Sequence, residues 1–169
     1  MQPDDAAALH AAITESHAEL NPWLPSLSAG LSVADIQRFA AAAQVEADEG
    51  AAFHHVILDA DDRLLGGIGL TQINRLHLFG NIYYWVRTGA AGHGAASAAV
   101  RQLARFGFAQ VGIKRLEIVM AVGNTASRKA AEKAGATYEG RLRNRLQMHN
   151  VWHDAYMYSL TPDDFPPSA

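Results

Sequence analysis

Residues 84–100 have the sequence Tyr-Trp-Val-Arg-Thr-Gly-Ala-Ala-Gly-His-Gly-Ala-Ala-Ser-Ala-Ala-Val. An apolar, aromatic strand pattern runs directly into a glycine-rich loop, and the loop runs directly into a helical pattern. A loop of small residues at a helix N-terminus leaves several backbone N–H groups free to face one anion. Gly92 and Gly94 let that backbone approach a phosphate closely, because neither carries a Cβ. The stretch therefore predicts a bound phosphorylated ligand.

The same stretch permits a plainer interpretation, in which the glycines only make a turn between a strand and a helix. It is not a Walker loop, because no Lys-Ser or Lys-Thr pair follows the glycines. A dinucleotide-binding fingerprint needs an acidic residue about 20 residues further on, at the end of a second strand. Glu117 is near that distance but lies inside its predicted strand. Neither of these two nucleotide-binding patterns fits the loop.

Length and composition limit the class of protein. The 169 residues favour one domain, over 1–169, with a core of its own. The net charge of −3 gives no electrostatic basis for direct nucleic-acid binding, and the absence of cysteine excludes disulfides, thiolate metal sites and cysteine nucleophiles. No apolar run has membrane-spanning length, and the N-terminus Met-Gln-Pro-Asp-Asp does not resemble a signal peptide. We therefore expect a cytoplasmic protein without membrane contact.

Helix and strand patterns divide the rest of the chain. Asp4 or Asp5 begins a predicted helix that runs to about Glu19, and Ser32 begins a second helix that Gly50 ends. Strands are predicted at 53–59, 63–73, 80–87, 115–122, 137–147 and 152–160, with helices from the glycine loop to about 112 and at 124–134. A frayed tail is predicted for 161–169. The order α-α-β-β-β-α-β-α-β-β indicates a mixed α/β domain with one central sheet.

This order, together with its motifs, resembles the GNAT superfamily of acetyl-CoA-dependent N-acetyltransferases. Within it, the chain is similar to the RimJ/RimL-type group, which includes ribosomal-protein N-terminal acetyltransferases. Residues 91–96 fit the superfamily's pyrophosphate loop, Gln/Arg-x-x-Gly-x-Gly/Ala, with Ala91 in place of Gln or Arg. Residues 115–135 match the group's strand, Asn-x-x-Ser turn and helix, and 138–143 and 153–160 match its closing strands. The resemblance covers about residues 4–160.

The resemblance implies a GNAT-like fold, with one mixed, mostly antiparallel central sheet and helices on both faces. Two departures accompany it. The family usually opens with a β-strand before the first helix, and this chain begins where that strand should end. We therefore expect either that the first edge strand is absent or that the true start lies further upstream. The tyrosine that frequently acts as the acid in this family corresponds to Ala131, so that acid is absent.

The resemblance also implies a reaction, in which a thioester gives its acyl group to a primary amine. Acetyl-CoA or CoA is the expected co-substrate, with no metal. The loop amides of Gly92, Gly94, Ala95 and Ala96 would hold the CoA pyrophosphate, and His93 would either add a contact or face water. The backbones of Trp85, Val86 and Arg87 would pair with the pantetheine arm as a neighbouring strand does.

Two polar side chains follow the next predicted strand. By resemblance, Asn124 bonds a pantetheine amide; it also has the place of a helix N-cap, and one residue can do both. Ser127, one turn later, protonates or hydrogen-bonds the leaving thiolate by the same resemblance. The alternative for Ser127 is a first-turn serine with only local hydrogen bonds.

Glu117 is the first candidate for the general base. It alternates with apolar residues and shares its face with Val119, and a carboxylate in such surroundings tends to have a raised pKa that suits a general base. In related N-acetyltransferases, a glutamate in this Leu-Glu strand is a candidate base, usually acting through water. The alternative is a structural ion pair with Arg115 or Arg143. Glu139, in the following strand, is the second candidate base.

Several interpretations of the whole chain stay open at this point. The leading one is an acetyltransferase for a primary amine, in particular the N-terminal α-amine of a ribosomal or other protein. A second keeps the chemistry but takes a small amine, such as an antibiotic, polyamine or amino acid. A third is a CoA-binding sensor without turnover, which Ala91 and the absent tyrosine favour. A homodimer is compatible with the resemblance, since exposed strand edges invite pairing.

The histidines do not predict a metal site. His54 and His55 are adjacent in a strand pattern and so point to opposite faces. His149 and His153 have helical spacing, but the flanking strand patterns place a turn between them.

Overall fold

Six strands form one sheet in the computed structural model, which describes residues 1–28 and 30–165. The strands are β1 (Phe53–Leu58), β2 (Leu64–Asn74), β3 (Phe79–Val86), β4 (Arg115–Ala121), β5 (Thr137–Met148) and β6 (Val151–Leu160). Their order across the sheet is β1-β2-β3-β4-β6-β5. Only the β3–β4 pair is parallel among the described strands, so the predicted mixed, mostly antiparallel sheet is confirmed.

The described part of the chain also contains five α-helices: α1 (Ala6–Glu15), α2 (His17–Leu20), α3 (Val33–Asp48), α4 (Ala95–Phe106) and α5 (Thr125–Ala134). Ser32 begins α3 as predicted, because its Oγ accepts a hydrogen bond from the Asp35 amide at 3.2 Å. Gly135 ends α5 in the left-handed conformation that glycine adopts without strain. None of the helices in the described ranges is long and apolar enough to cross a membrane.

The first helix is shorter than the sequence pattern predicts. It stops at Glu15 instead of about Glu19, and α2 follows as one separate turn. Ser16 lies at the break and is fully buried, and its Oγ accepts a hydrogen bond from the Thr88 amide at 2.9 Å. A tertiary contact of this kind leaves no trace in the local hydrophobic pattern.

The predicted tail also differs from the structure. Pro162–Asp164 form a 3₁₀ turn rather than the beginning of a frayed end, and the Asp164 carboxylate accepts from the Thr161 amide at 2.7 Å. The Phe165 ring packs against Phe108, with the ring centroids 5.7 Å apart. Residues 166–169 lie outside the described residues.

Two hydrophobic layers cover the two faces of the sheet. Alternation along each strand sends successive side chains to opposite faces. One layer lies between the sheet and helices α4 and α5, and it contains Leu70, Ile82, Val100, Leu116 and Ile118. The other lies between the sheet and helices α1 and α3, and it contains Leu9, Ile13, Ile36, Leu64 and Trp85. Each face is therefore packed by a different set of helices, as the resemblance implies.

The sheet opens between β3 and β4. These strands pair only at Phe79 with Arg115, Gly80 with Leu116 and Asn81 with Glu117. Beyond that point β3 stays paired with β2, and β4 stays paired with β6. The two strands therefore part and leave a cleft at their carboxyl ends.

β1 forms one edge of the sheet within the described residues, where no strand precedes α1. The amino group of Met1 lies against this strand and donates to the His54 carbonyl at 3.2 Å.

Leu116 is fully buried beneath the point where β3 and β4 part. Leu116→Ala should lower the free energy of unfolding by about 2–5 kcal/mol, because it removes buried methyl groups and leaves a cavity. Leu76→Ala is the matched control, since 82% of Leu76 is exposed, and it should change that free energy by less than about 0.5 kcal/mol. Chemical denaturation measures both; equal losses would contradict the assigned core.

Candidate active site

The backbone of β3 borders the opening. The Arg87 amide donates to the Leu65 carbonyl at 2.7 Å, and the Arg87 carbonyl accepts from the Ala90 amide at 2.9 Å. Because an antiparallel ladder alternates, the Trp85 peptide groups then face β2, and those of Tyr84 and Val86 face the opening. Of the three backbones predicted to meet pantetheine, Val86 is the one directed into the cleft. The pantetheine contacts of all three residues remain predictions.

The glycine loop continues from β3 into α4. Gly92 and Gly94 have φ values of +83° and +89°, which glycine adopts without strain. Gly94 is the N-cap of α4, and no side chain among the described residues caps this helix. The first amides of the helix, those of Ala95 and Ala96, are consequently available for an anion, with the positive end of the helix dipole behind them.

Lys133 brings a positive charge to this loop from α5. A Cβ placed on Gly94 would lie 3.1 Å from the Lys133 Nζ, so the ammonium group stands beside the loop backbone. Arg101 of α4 donates to the Lys133 carbonyl at 2.9 Å and connects the two helices. No sequence motif points to Lys133, because it lies 39 positions beyond Gly94 and only the packing of α5 against α4 brings the two together.

The predicted loop histidine, His93, is exposed. It borders an open groove of about 390 Å³ whose opposite wall includes Asp59 and Leu65. Its lining among the described residues includes no residue of α5 or of the Asn124 turn, so the groove does not by itself assign His93 a ligand.

The turn between β4 and α5 carries Asn124 and Ser127. Asn124 caps α5, because its Oδ1 accepts from the Ser127 amide at 3.0 Å. The cap uses the carbonyl oxygen of the side chain and leaves the Nδ2 hydrogens for another partner. The hydroxyl of Ser127 lies 3.0 Å from the Tyr84 hydroxyl, which is also 2.9 Å from the Ser127 carbonyl oxygen. No local sequence signal indicates this contact of Tyr84, because Ser127 lies 43 positions further along the chain.

A loop from the N-terminal helices reaches the same turn. The ring of Trp23 lies against Gly123, where a Cβ would come within 3.4 Å of the ring. His149, in the turn between β5 and β6, contacts the Asn21 carbonyl through Nε2 at 2.9 Å. Trp23 thus stands next to the Asn124 turn.

Glu117 is ion-paired with Arg115, one of the two arginines that the sequence allowed. Arg115 Nε donates to Glu117 Oε1 at 3.0 Å, and the same guanidinium donates two bonds to Glu139, at 2.7 and 2.5 Å. Ser159 adds a bond to Glu139 at 2.6 Å. The expected apolar surroundings of Glu117 are therefore wrong: strands β5 and β6 bring polar groups to this face, and the sequence did not show their register.

The two candidate bases differ in how their oxygens are used. Arg115, and after it Ser159, lower the pKa of Glu139 to about 2, because both of its oxygens accept hydrogen bonds. The bond from Arg115 uses only Oε1 of Glu117, whose side chain is 20% exposed. Oε2 of Glu117 has no hydrogen-bond partner among the described residues. The geometry favours Glu117 over Glu139 as a proton acceptor.

Ser127 and Glu117 approach the opening from opposite faces of the sheet. Glu117 alternates with Leu116 and Ile118, which pack beneath α4 and α5, so it points to the other face. Ser127 belongs to α5 and meets Tyr84 on the α5 side. A group threaded through the opening would have a hydroxyl on one side and a carboxylate on the other.

The fold matches that of a known family of acetyltransferase domains. The family described as Acetyltransferase (GNAT) domain matches residues 1–137. The protein therefore belongs to the GNAT family.

Individual relatives agree with the family. The candidate ribosomal N-acetyltransferase YdaF of Bacillus subtilis (strain 168) is 34% identical over 100 residues, which are 59% of this chain and 55% of YdaF. The probable N-acetyltransferase YjcK of the same organism is 34% identical over 124 residues, 72% of this chain and 67% of YjcK. The matched part of this chain thus spans little more than half of YdaF.

Among solved structures, Mycobacterium smegmatis RimJ in complex with CoA-disulfide matches with a TM-score of 0.89 and 25% identity, over 99% of this chain and 82% of RimJ. These similarities confirm the predicted GNAT fold and the RimJ/RimL-like resemblance.

Lys133→Met should raise the Kd of CoA about tenfold, because the variant loses one charged contact to a phosphate at the glycine loop. It should also flatten the dependence of that Kd on salt. Lys114→Met is the control, since Lys114 is an exposed lysine at the opposite end of β4. Titration calorimetry measures both. An unchanged Kd in Lys133→Met would remove Lys133 from the phosphate site.

Proposed function

We propose that this protein transfers the acetyl group of acetyl-CoA to the N-terminal α-amine of a protein, of the ribosomal-protein type. The observation that carries the donor half of this proposal is the opening between β3 and β4, bordered by the uncapped α4 and by the Asn124 turn. The acceptor half rests on the similarity to a candidate ribosomal N-acetyltransferase and to RimJ.

The donor lies along the cleft. The amides from Gly92 to Ala96 and the ammonium group of Lys133 hold the pyrophosphate, since together they present several N–H donors and a positive charge to one place. Val86 offers its backbone to the pantetheine arm as a strand would. Asn124 uses its Nδ2 for a pantetheine carbonyl while its Oδ1 caps α5.

Acetyl transfer forms a C–N bond to the amine and breaks the C–S bond of the thioester. The amine must reach the carbonyl neutral, so its extra proton goes to Glu117 through a water molecule. The departing thiolate needs a hydrogen-bond donor, and Ser127 provides its hydroxyl. Ala131 is fully buried and has no polar group, so it offers no acid at the position where the family often has tyrosine. Once the C–N bond has formed, the nitrogen loses a second proton, which passes through water to the thiolate. The products are an acetylated amine, CoA thiol and the one proton that Glu117 has taken up.

The acceptor approaches on the face that carries Glu117. Val119 and Met157 continue from Glu117 along that face, and all three are half-buried. Trp23 bounds the cleft at the Gly123 end. An elongated strip of this kind suits the extended end of a polypeptide, whose amine enters the cleft while the following residues lie along the strip.

Release of free thiol from acetyl-CoA, measured with a panel of acceptors, tests the proposal. Peptides that begin with Ser, Ala, Asp or Met should give turnover, and their N-acetylated copies should give none, because no free α-amine remains. Polyamines, amino acids and aminoglycosides form the second arm. Turnover confined to that arm would replace the protein acceptor with a small amine, and CoA binding without turnover in any arm would indicate a sensor.

Glu117→Gln should reduce kcat by roughly 10²- to 10⁴-fold, the range of a positioned general base. Glutamine keeps an oxygen for Arg115, so the fold should survive, and circular dichroism checks this. Glu139→Gln changes the other carboxylate on the same arginine and should reduce kcat far less. The reverse pattern would assign the base to Glu139.

A further inference from the structure

Tyr84 and Ser127 form a contact that no part of the proposed mechanism uses. Tyr84 lies on β3, and Ser127 lies in the first turn of α5, 43 positions later. The Tyr84 hydroxyl is 3.0 Å from Ser127 Oγ and 2.9 Å from the Ser127 carbonyl oxygen. The strands that lead to these residues have already parted at Asn81 and Glu117. The contact therefore spans the cleft where the sheet itself has no hydrogen bonds to hold its two sides together.

The Tyr84 hydroxyl keeps its proton at neutral pH. Burial raises the pKa of Tyr84 to about 12, and the hydrogen bond with Ser127 only partly opposes this. A neutral tyrosine hydroxyl has one hydrogen to donate and can also accept. The Ser127 carbonyl can only accept, whereas the Ser127 hydroxyl can donate or accept.

Two hydrogen-bond arrangements satisfy these atoms. In the first, Tyr84 donates to the Ser127 carbonyl and the Ser127 hydroxyl donates to Tyr84. The serine hydrogen is then engaged in that bond and cannot be donated to another partner. In the second, Tyr84 donates to Ser127 Oγ, and the serine proton is free to point elsewhere. Rotation about the two C–O bonds converts one into the other, so no heavy atom has to move.

We propose that Tyr84 is a positioning residue that presents the Ser127 hydroxyl to the departing sulfur. When the C–S bond breaks, Tyr84 donates to Ser127 Oγ, and the Ser127 hydroxyl donates to the thiolate. The polarised chain of two hydroxyls makes Ser127 a better donor than an isolated serine. No proton has to leave Tyr84. This inference rests on the proposed role of Ser127.

Tyr84→Phe removes the hydroxyl and keeps the ring. It should lower kcat by about 3- to 10-fold, the effect of one hydrogen bond, and leave the KM for acetyl-CoA within about twofold. A purely structural role for Tyr84 would disturb KM and the unfolding midpoint together with kcat, so all three are measured.

Tyr83→Phe is the matched control. Tyr83 is the preceding residue on the same strand, and its hydroxyl bonds His54 Nδ1 at 2.8 Å on the opposite face. The substitution removes the same atom from the same type of residue, so kcat should stay within about twofold of the parent. A loss as large as that in Tyr84→Phe would overturn the inference.

The double variant Tyr84→Phe/Ser127→Ala distinguishes the role of Tyr84 from the proposed role of Ser127. If Tyr84 acts through Ser127, Tyr84→Phe has no further effect on kcat once Ser127 is alanine. Equal losses with and without Ser127 would overturn the inference and leave Ser127 in place. An unchanged kcat in Ser127→Ala would remove the role of Ser127, and with it that of Tyr84.

Discussion

The parting of β3 and β4 after Asn81 and Glu117 is the constraint on which the rest of the structure depends. Adjacent parallel strands normally satisfy each other's backbone groups, and groups left over need another partner. Here the cleft has amides of β3 on one side and the Asn124 turn on the other. A ligand with its own amides is the natural occupant, and a pantetheine arm has them.

The elements around the cleft divide the chemistry between the two faces of the sheet. α4 and α5 pack on one face and carry the glycine loop, Lys133 and Ser127, which in the proposed reaction would serve the donor and its leaving group. The other face has Glu117 and Trp23, which in that reaction would serve the amine. The proposed reaction therefore places the departing thiol and the incoming amine on opposite faces of the sheet, with the cleft between them.

The sequence predicted what local pattern and motif encode: the strands, the glycine loop and the cap at Asn124. It could not predict features that depend on register or on distant contacts. The break at Ser16 follows from a bond to Thr88, and the polar surroundings of Glu117 follow from the register of β5 and β6. The contacts of Lys133 and Tyr84 could not be predicted for the same reason. Lys133 lies 39 positions from Gly94, and Tyr84 lies 43 positions from Ser127.

The bond between Ser16 and the Thr88 amide has a consequence for protein engineering. Glu15 accepts a hydrogen bond from the Arg87 side chain, and Glu19 accepts one from the Thr88 hydroxyl. The end of α1 and helix α2 are therefore hydrogen-bonded to the segment that leads into the glycine loop. The N-terminal helices are thus not an exchangeable module. A chimera that takes these helices from a relative, in order to change the acceptor, would also need matching residues at 87 and 88. Without them the start of the glycine loop would lose its contacts, and we would expect the affinity for CoA to fall.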